Sequence, residues 1–528
     1  MTTLAEAPSR QSKSIPSSRV GTDVLMIYPK TGIDFGSTVA PPHGMLAIAA
    51  PLLKEGYKVK LIDQRVDKNW KQHMTDALDT NPICVTIPSM IGTQLRYALD
   101  TAQFIKQYTN GKIPIIWGGP IPTIVPEQTL AHELVDIICV READITFKEV
   151  VGALQSKQSL KGIAGCGYKD GGKLIINPER ELLDVETLLP VPWELVNVED
   201  YIHPDMYLKV NRTLDIGETS RGCPFKCGFC SSASLRLRRW RAKSVEKTLE
   251  EVTEMVRKYN LNGIWMRDDE FYVNRNRARG ICEGFIRENL NIRWYTSGTR
   301  VDNFIATPDE QVAIYKQSGA YSCKFGAESG SQRILDLMKK EITPDETMQA
   351  NLKAKKSGII PVFGLMMGFP TETFDEIQQT IDMMIRLRKA NAAAQFETMT
   401  IYTAIPGTPM WDLALNYGMR IPETLEGWIN FVFDDYDPEG KRSPWYNAED
   451  RNKLGNISYM SVLANSLENV LDSIQSPFKR KLAKVVYALP RAYFRWRLVN
   501  KHYSFDWDLK IVRYLREKIF YRGYFIFK

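Results

Sequence analysis

The 528-residue chain is poor in histidine, with five residues, and it has no uninterrupted apolar run near the roughly 20 residues that a membrane-spanning helix needs. Its opening stretch, MTTLAEAPSRQSKSIPSSR, lacks the apolar core of a secretion signal. The expectation is a cytoplasmic protein whose residues 1–21 form a frayed tail. A disulfide pattern is missing too. Cys84, Cys139, Cys166, Cys282 and Cys323 are scattered, and only Cys223, Cys227 and Cys230 stand close together. That distribution points to metal ligation by the close trio and buried thiols elsewhere, in a reducing compartment.

Acidic residues are scarce at one end. Residues 478–528 hold 14 Lys and Arg against Asp506, Asp508 and Glu517, so the formal charge of +7 belongs to the carboxyl end and the rest of the chain is slightly acidic. This tail mixes its cations with Trp, Tyr and Phe, a composition that suits an anionic membrane interface, a nucleic acid or an acidic substrate. No recognised nucleic-acid module accompanies it, so peripheral membrane contact is the expectation and a solvated aromatic helical cap is the bland alternative.

What is present is a strand-then-helix rhythm. VLMIYP (24–29), KVKLID (58–63), PICVTI (82–87) and PIIWGG (114–119) are apolar runs of strand length, with helical spacing in GMLAIAAPLLKEG (44–56) and LRYALDTAQFIKQY (95–108). Such alternation predicts an α/β domain over 22–160, a parallel sheet covered on both faces. Residues 161–212 break the rhythm and read as a linker, with GCGYKDGG (165–172) as a hairpin turn. A second series follows over 213–415: TLDIGETS, GIWMRDDEF, IRWYTSGTR, SCKFGAESG, IIPVFGLMMGFP and FETMTIYTAIPGTP are six candidate strands separated by helical segments. Six strands with crossover helices suit a partial (β/α)6 barrel whose chemistry sits at the strand carboxyl ends. Residues 416–528 read as a mostly helical cap.

The cysteine trio has the spacing C-x3-C-x2-C, and TLDIGETS runs straight into it. Three thiolates ligate three corners of a cubane cluster and leave one iron open. Arg221-Gly222 precede the trio, Pro224 and Gly228 permit a tight loop, and Phe229 precedes the last ligand. Zinc would want a fourth Cys or His near the loop, and no histidine is local.

This loop resembles that of the radical S-adenosylmethionine (SAM) superfamily. The resemblance implies a 4Fe-4S cluster on Cys223, Cys227 and Cys230, whose open iron chelates SAM, and a 5'-deoxyadenosyl radical that abstracts hydrogen from substrate. It further implies that Asp268, Asp269 and Glu270 in RDDEF receive the methionine ammonium, that Arg300 contacts the cofactor carboxylate or forms a structural ion pair, and that Glu328 meets the ribose or methionine. Gly364 and Gly368 would let backbone approach the adenine.

The first domain, with PPHG (41–44) and WGGPIPT (117–123) after strands, resembles the cobalamin-binding domain of one large radical SAM subfamily. By that likeness Gly118 and Gly119 admit the corrin and its nucleotide tail, and Ser89 and Thr93 donate hydrogen bonds to the tail. The D-x-H-x-x-G motif that ligates cobalt in many cobalamin proteins is absent, and His43 does not stand in its context. Cobalamin would then bind with no protein histidine below the cobalt. The implied function is a cobalamin-dependent radical SAM methyltransferase acting on an unactivated carbon through methylcobalamin, served by an electron donor such as flavodoxin or ferredoxin. An oxidative cyclase resembling the anaerobic magnesium-protoporphyrin monomethyl ester cyclase is one alternative. A non-catalytic cobalamin or iron-sulfur sensor is the other. The substrate class is a small or lipid-like molecule, and no nucleic acid partner is expected.

Overall fold

A computed structural model describes residues 21–32, 34, 39–431, 442–466, 471 and 476–520. Except for Gly21, the tail expected at residues 1–21 lies outside them, as do the last eight residues of the basic end. The described chain forms two compact units. The first takes residues up to 202 with 231–237 and 421–431, and the second takes 203–230, 238–420 and the described residues from 442 onward.

In the first unit the apolar runs become β1 (Val24–Tyr28), β2 (Val59–Asp63), β3 (Cys84–Pro88), β4 (Ile115–Gly118) and β5 (Ile137–Cys139). They pair in parallel in the order β2-β1-β3-β4-β5. Parallel neighbours need crossovers, which helices such as His43–Lys54 and Thr93–Thr109 supply. Both faces are covered, so Val24, Leu25, Met26, Ile27, Ile115 and Ile116 are all fully buried rather than alternating.

The segment 161–212, expected as a linker, is partly sheet. β6 (Cys166–Asp170) and β7 (Lys173–Ile176) form a hairpin turning at Gly171-Gly172, and β6 pairs antiparallel with β5, placing Cys166 opposite Cys139. The physical reason is twofold: the hairpin covers the backbone edge that β5 would otherwise leave open, and Cys166 and Tyr168 complete the core.

The second unit begins with β8 (His203–Asp205), antiparallel to β9 (Val210–Gly217). β10 (Ser220–Arg221) and β11 (Arg241–Ala242) form a short antiparallel ribbon. β12 (Gly263–Met266), β13 (Arg293–Thr296), β14 (Ser322–Glu328), β15 (Ile360–Met367) and β16 (Gln395–Ile401) complete the strands. β9, β12 and β13 are parallel neighbours, as are β14, β15 and β16, and parallel bridges Trp294–Ala320 and Thr299–Phe325 join the two sets. Six parallel strands thus follow one another in chain order with helices between, the partial barrel that the pattern predicts. Among the described residues after 416, the longer helices are Ala448–Ser461, Pro477–Val499 and Trp507–Phe520.

The helices cover the strands through stripes visible in the sequence. Ser244 accepts from the Lys247 N–H to start the helix Val245–Lys258, which buries Leu249, Val252 and Val256. Gly284 of the helix Arg275–Arg287 lies against the two methyls of Leu249, with no room for a Cβ. Replacing Gly284 with Val will therefore destabilise the second unit by about 1–3 kcal/mol through overpacking. Adding Leu249→Ala will restore part of the loss, and thermal unfolding of the single and double variants reads both effects.

Candidate functional site

The cysteine loop leaves and returns through the β10–β11 ribbon, in which Ser220 faces Ala242 and Arg221 faces Arg241. Residues 222–240 are thereby closed at their base. Asp268, at the end of β12, anchors that base. Its buried carboxylate accepts from the Thr219 hydroxyl at 2.8 Å, the Thr219 N–H at 3.3 Å and the Ser220 hydroxyl. Buried Arg277 adds bonds to the Thr219 carbonyl at 2.9 Å and the Lys243 carbonyl at 2.7 Å. Gly228, within the cysteine trio, donates to the Met338 carbonyl at 2.7 Å and accepts from the Met410 N–H at 3.0 Å. A Cβ there would stand 3.1 Å from the Met410 side chain and 3.4 Å from the Met338 carbonyl oxygen, which is why the loop carries glycine at this position.

All three thiols are half-buried. Arg300 reaches the loop from the end of β13: its Nη1 lies 3.4 Å from Cys227 Sγ and its guanidinium sits 3.9 Å from the centre of the Phe225 ring. The same side chain makes a two-pronged ion pair with Asp302 at 2.9 and 3.0 Å and donates to the Lys340 carbonyl at 2.8 Å. Arg300 is thus both a structural ion pair and a cation placed on a loop sulfur. Glu328, at the end of β14, has a left-handed φ of 60° and is ion-paired at 2.7 Å with Lys340, both side chains being buried. The Lys340 ammonium also lies 5.7 Å from the Phe229 ring centre. Lys340 and Arg277 had no motif to mark them. Lys340 follows Lys339 and Arg277 stands between Arg275 and Arg279, so nothing in the sequence sets the buried cation apart from its neighbours, and its role appears only when the chain folds.

The acidic trio at the end of β12 divides. Asp268 and Glu270 are buried and turned to backbone, Glu270 accepting from the Arg300 N–H at 2.6 Å and the Tyr272 N–H at 3.1 Å, with burial pushing its carboxyl up to about 7. Asp269 is the exposed member. Gly298 packs so tightly on the Asp268-Asp269 backbone that no Cβ fits, so the ends of β12 and β13 are held together by a missing side chain. At the end of β15, Gly368 takes a φ of +84°, whereas Gly364, inside the strand, would accept a Cβ at ordinary contact distances. Glu372 closes the Gly368 turn by accepting from the Gly368 N–H at 2.6 Å and the Phe369 N–H at 3.1 Å, and burial pushes its carboxyl up to about 8. Among the aromatics of the barrel unit, Trp294, Tyr295 and Tyr402 are fully buried. Trp240 and Trp265 remain partly exposed, Trp265 lying between Arg267 at 4.2 Å and the Tyr295 ring at 5.5 Å.

In the first unit, Ser89 follows β3 and Gly118-Gly119 end β4. The Ser89 N–H bonds the Gly118 carbonyl at 3.0 Å, and Gly119, with φ of +92°, approaches the Ser89 carbonyl so closely that a Cβ would stand 3.1 Å away. The Ser89 hydroxyl is completely buried and has no hydrogen-bond partner, while Gly118 has open space where a Cβ would be. Thr93 opens the helix Thr93–Thr109 and packs against Gly32. His43 sits edge-on to Trp193, 5.8 Å between ring centres.

The model of the radical SAM superfamily matches residues 218–384, and that of the B12 binding domain matches residues 36–151. An uncharacterized methyltransferase of Pyrococcus horikoshii is 34% identical over 405 residues, covering 74% of this chain and 83% of the relative. The chain belongs to the cobalamin-binding radical SAM family. The anaerobic magnesium-protoporphyrin IX monomethyl ester cyclase of Rubrivivax gelatinosus is 25% identical over 370 residues, covering 68% of this chain and 65% of that relative, a little under two thirds of its length. In fold, the radical SAM protein is similar to the cobalamin-dependent S-adenosylmethionine radical enzyme OxsB, with a TM-score of 0.72 at 19% identity over 94% of this chain and 75% of the other.

Its cofactors are accordingly a 4Fe-4S cluster, SAM and cobalamin. The donor sets fit. Three half-buried thiols on one loop, with Arg300 at the Cys227 sulfur, suit a cubane, where each thiolate meets a different iron. At the end of the first unit's sheet, the Ser89 hydroxyl lacks a hydrogen-bond partner and Gly118 leaves space where a Cβ would be, two features that suit a polar ligand group.

Two outcomes follow from these pairings. Lys340→Met leaves the Glu328 carboxylate buried and unpaired, at a cost of about 3–5 kcal/mol in thermal unfolding, and Glu328→Gln in the same chain recovers most of it. Ser89→Ala removes an unsatisfied buried hydroxyl, so it will stabilise the cobalamin-free protein by about 1 kcal/mol while weakening hydroxocobalamin binding about 2- to 10-fold in equilibrium dialysis.

Proposed function

We propose that this protein is a cobalamin-dependent radical SAM methyltransferase acting on an unactivated carbon of a small or lipid-like substrate. We further propose that it works in the cytoplasm with a flavodoxin or ferredoxin as electron donor. The observation that carries the reading is the loop of three half-buried thiols, closed by its own ribbon and met by Arg300, in a chain that also holds a B12-binding domain. The methyltransferase relative of Pyrococcus horikoshii, matched over most of its length, favours methyl transfer over oxidative cyclisation.

In this reading the cobalamin-binding domain spans residues 22–160 and the radical SAM barrel residues 213–415. When bound, the cofactors supply a reducing electron, a hydrogen-abstracting radical and a methyl group. The chain does the rest. Cys223, Cys227 and Cys230 ligate the cluster, and Arg300 places a positive charge at the Cys227 sulfur. Asp269, the exposed carboxylate of its trio, receives the methionine ammonium, while Asp268 and Glu270 hold the strand ends still. Glu328, oriented by Lys340, meets the ribose or methionine, and backbone at Gly364 and Gly368 admits the adenine. Ser89, Thr93, Gly118 and Gly119 receive the cobalamin tail.

Anaerobic reconstitution with iron, sulfide and hydroxocobalamin, followed by reduction with SAM, tests the whole assignment. The expected wild-type result is about four irons and one cobalt per chain with formation of 5'-deoxyadenosine. The Cys223→Ala, Cys227→Ala, Cys230→Ala variant should lose the irons and the 5'-deoxyadenosine and keep the cobalt. Iron without cobalt would overturn methyl transfer from cobalamin. Both metals without 5'-deoxyadenosine would make the protein a sensor.

A further inference from the structure

The helix Pro477–Val499 is 23 residues long, about 34 Å at about 1.5 Å per residue, and only its carboxyl end is packed into the second unit, through Phe494, Arg497 and Leu498. Its amino-terminal two thirds expose large apolar side chains: Phe478 at 77%, Leu482 at 55%, Val485 at 64%, Val486 at 68% and Leu489 at 81%. The spacing 478, 482, 485, 486, 489 follows i, i+4, i+7, i+8, i+11, so these residues form one stripe along the helix. A soluble protein rarely leaves so continuous an apolar stripe in water unless something covers it.

Charge identifies the cover. From Pro477 to Phe505 the sequence contains no Asp or Glu, while Lys479, Arg480, Lys481 and Lys484 lie among the exposed apolar residues at the helix start. Aromatics then take over: Tyr493, Trp496, Phe505 and Trp507 are each at least 40% exposed. Aliphatic stripe, flanking lysines with long methylene stems and a terminal cluster of amphipathic rings are the three components of a helix lying in the headgroup region of an anionic bilayer. A nucleic acid would reward the cations and rings but gains nothing from burying Leu482, Val486 and Leu489. No helix among the described residues is long and apolar enough to cross a membrane, so the geometry is that of lying on the surface. The attachment is firm, since buried Arg497 bonds Asp508 at 2.7 and 2.8 Å and the His502 carbonyl at 2.8 and 3.1 Å, tying the helix to Trp507–Phe520.

We propose that the exposed face of Pro477–Val499 docks the protein on an anionic lipid surface, with Leu482, Val486 and Leu489 entering the acyl boundary and Lys479 and Lys481 meeting lipid phosphates. The experiment is flotation of the full-length protein with vesicles of phosphatidylcholine alone or with about 30% phosphatidylglycerol. The proposal expects at least ten-fold more protein afloat with the anionic vesicles. Leu482→Asp, Val486→Asp, Leu489→Asp should abolish flotation at unchanged thermal stability, because the replaced side chains are already in water. Lys479→Ala, Lys481→Ala should erase the preference for anionic lipid. Three results would overturn it: wild type that stays at the bottom of the gradient, a triple Asp variant that floats like wild type, or a triple Asp variant whose change is dissociation of a dimer seen by light scattering without lipid. Single-stranded RNA that binds wild type and the triple Asp variant equally, with no vesicle binding, would assign the cations to nucleic acid instead.

Discussion

One guanidinium joins the parts of the barrel unit on which its chemistry depends. Arg300 stands at the end of β13, and from there it reaches a sulfur and an aromatic ring of the cysteine loop, the carboxylate of Asp302 and the backbone of Lys340. Its own backbone N–H is held by Glu270 from the end of β12. A loop rich in small residues has no rigidity of its own, so three thiols keep their spacing only because neighbouring strand ends grip the chain between them. Arg300 is suited to this because its planar fork makes several directed bonds at once, which an ammonium does not.

The parallel sheet explains why those contacts converge. Each crossover returns the chain to the same edge, so the residues following β9, β12, β13, β14 and β15 gather at one end of the unit. Two devices then bring them closer than side chains allow: Gly298 lies on the Asp268-Asp269 backbone, and Gly228 is clasped between Met338 and Met410. The buried carboxyls have a matching role. Asp268, Glu270 and Glu372 accept backbone N–H groups at turns with no donors to spare, and in doing so they convert flexible strand ends into fixed ones.

The first unit uses the same geometry for a different purpose. Ser89 and Gly118-Gly119 sit at the ends of adjacent strands β3 and β4, where an open α/β sheet leaves backbone accessible. The buried Ser89 hydroxyl has no hydrogen-bond partner, and Gly118 leaves open space where a Cβ would be.

The sequence by itself determined the fold class and the order of the units, and it set three cysteines at C-x3-C-x2-C spacing on one loop, because periodicity and spacing are local properties. It also marked Arg300 and the acidic trio as residues at strand ends, since a polar residue directly after an apolar run is legible without contacts. It could not divide that trio into two buried anchors and one exposed carboxylate, because burial depends on which loop packs above, and that loop contains Gly298. Nor could it find Lys340, Arg277 or Glu372, whose partners are 12, 58 and four residues away in sequence and are selected by the folded chain. The hairpin at 166–176 is legible in the sequence only as a turn inside a linker, because pairing with β5 is a long-range choice, decided by an edge that needed covering and a core that needed filling. Tertiary structure likewise decided which face of the basic carboxyl-terminal helix is covered, since its apolar residues recur at the same spacing whether they meet protein or face outward.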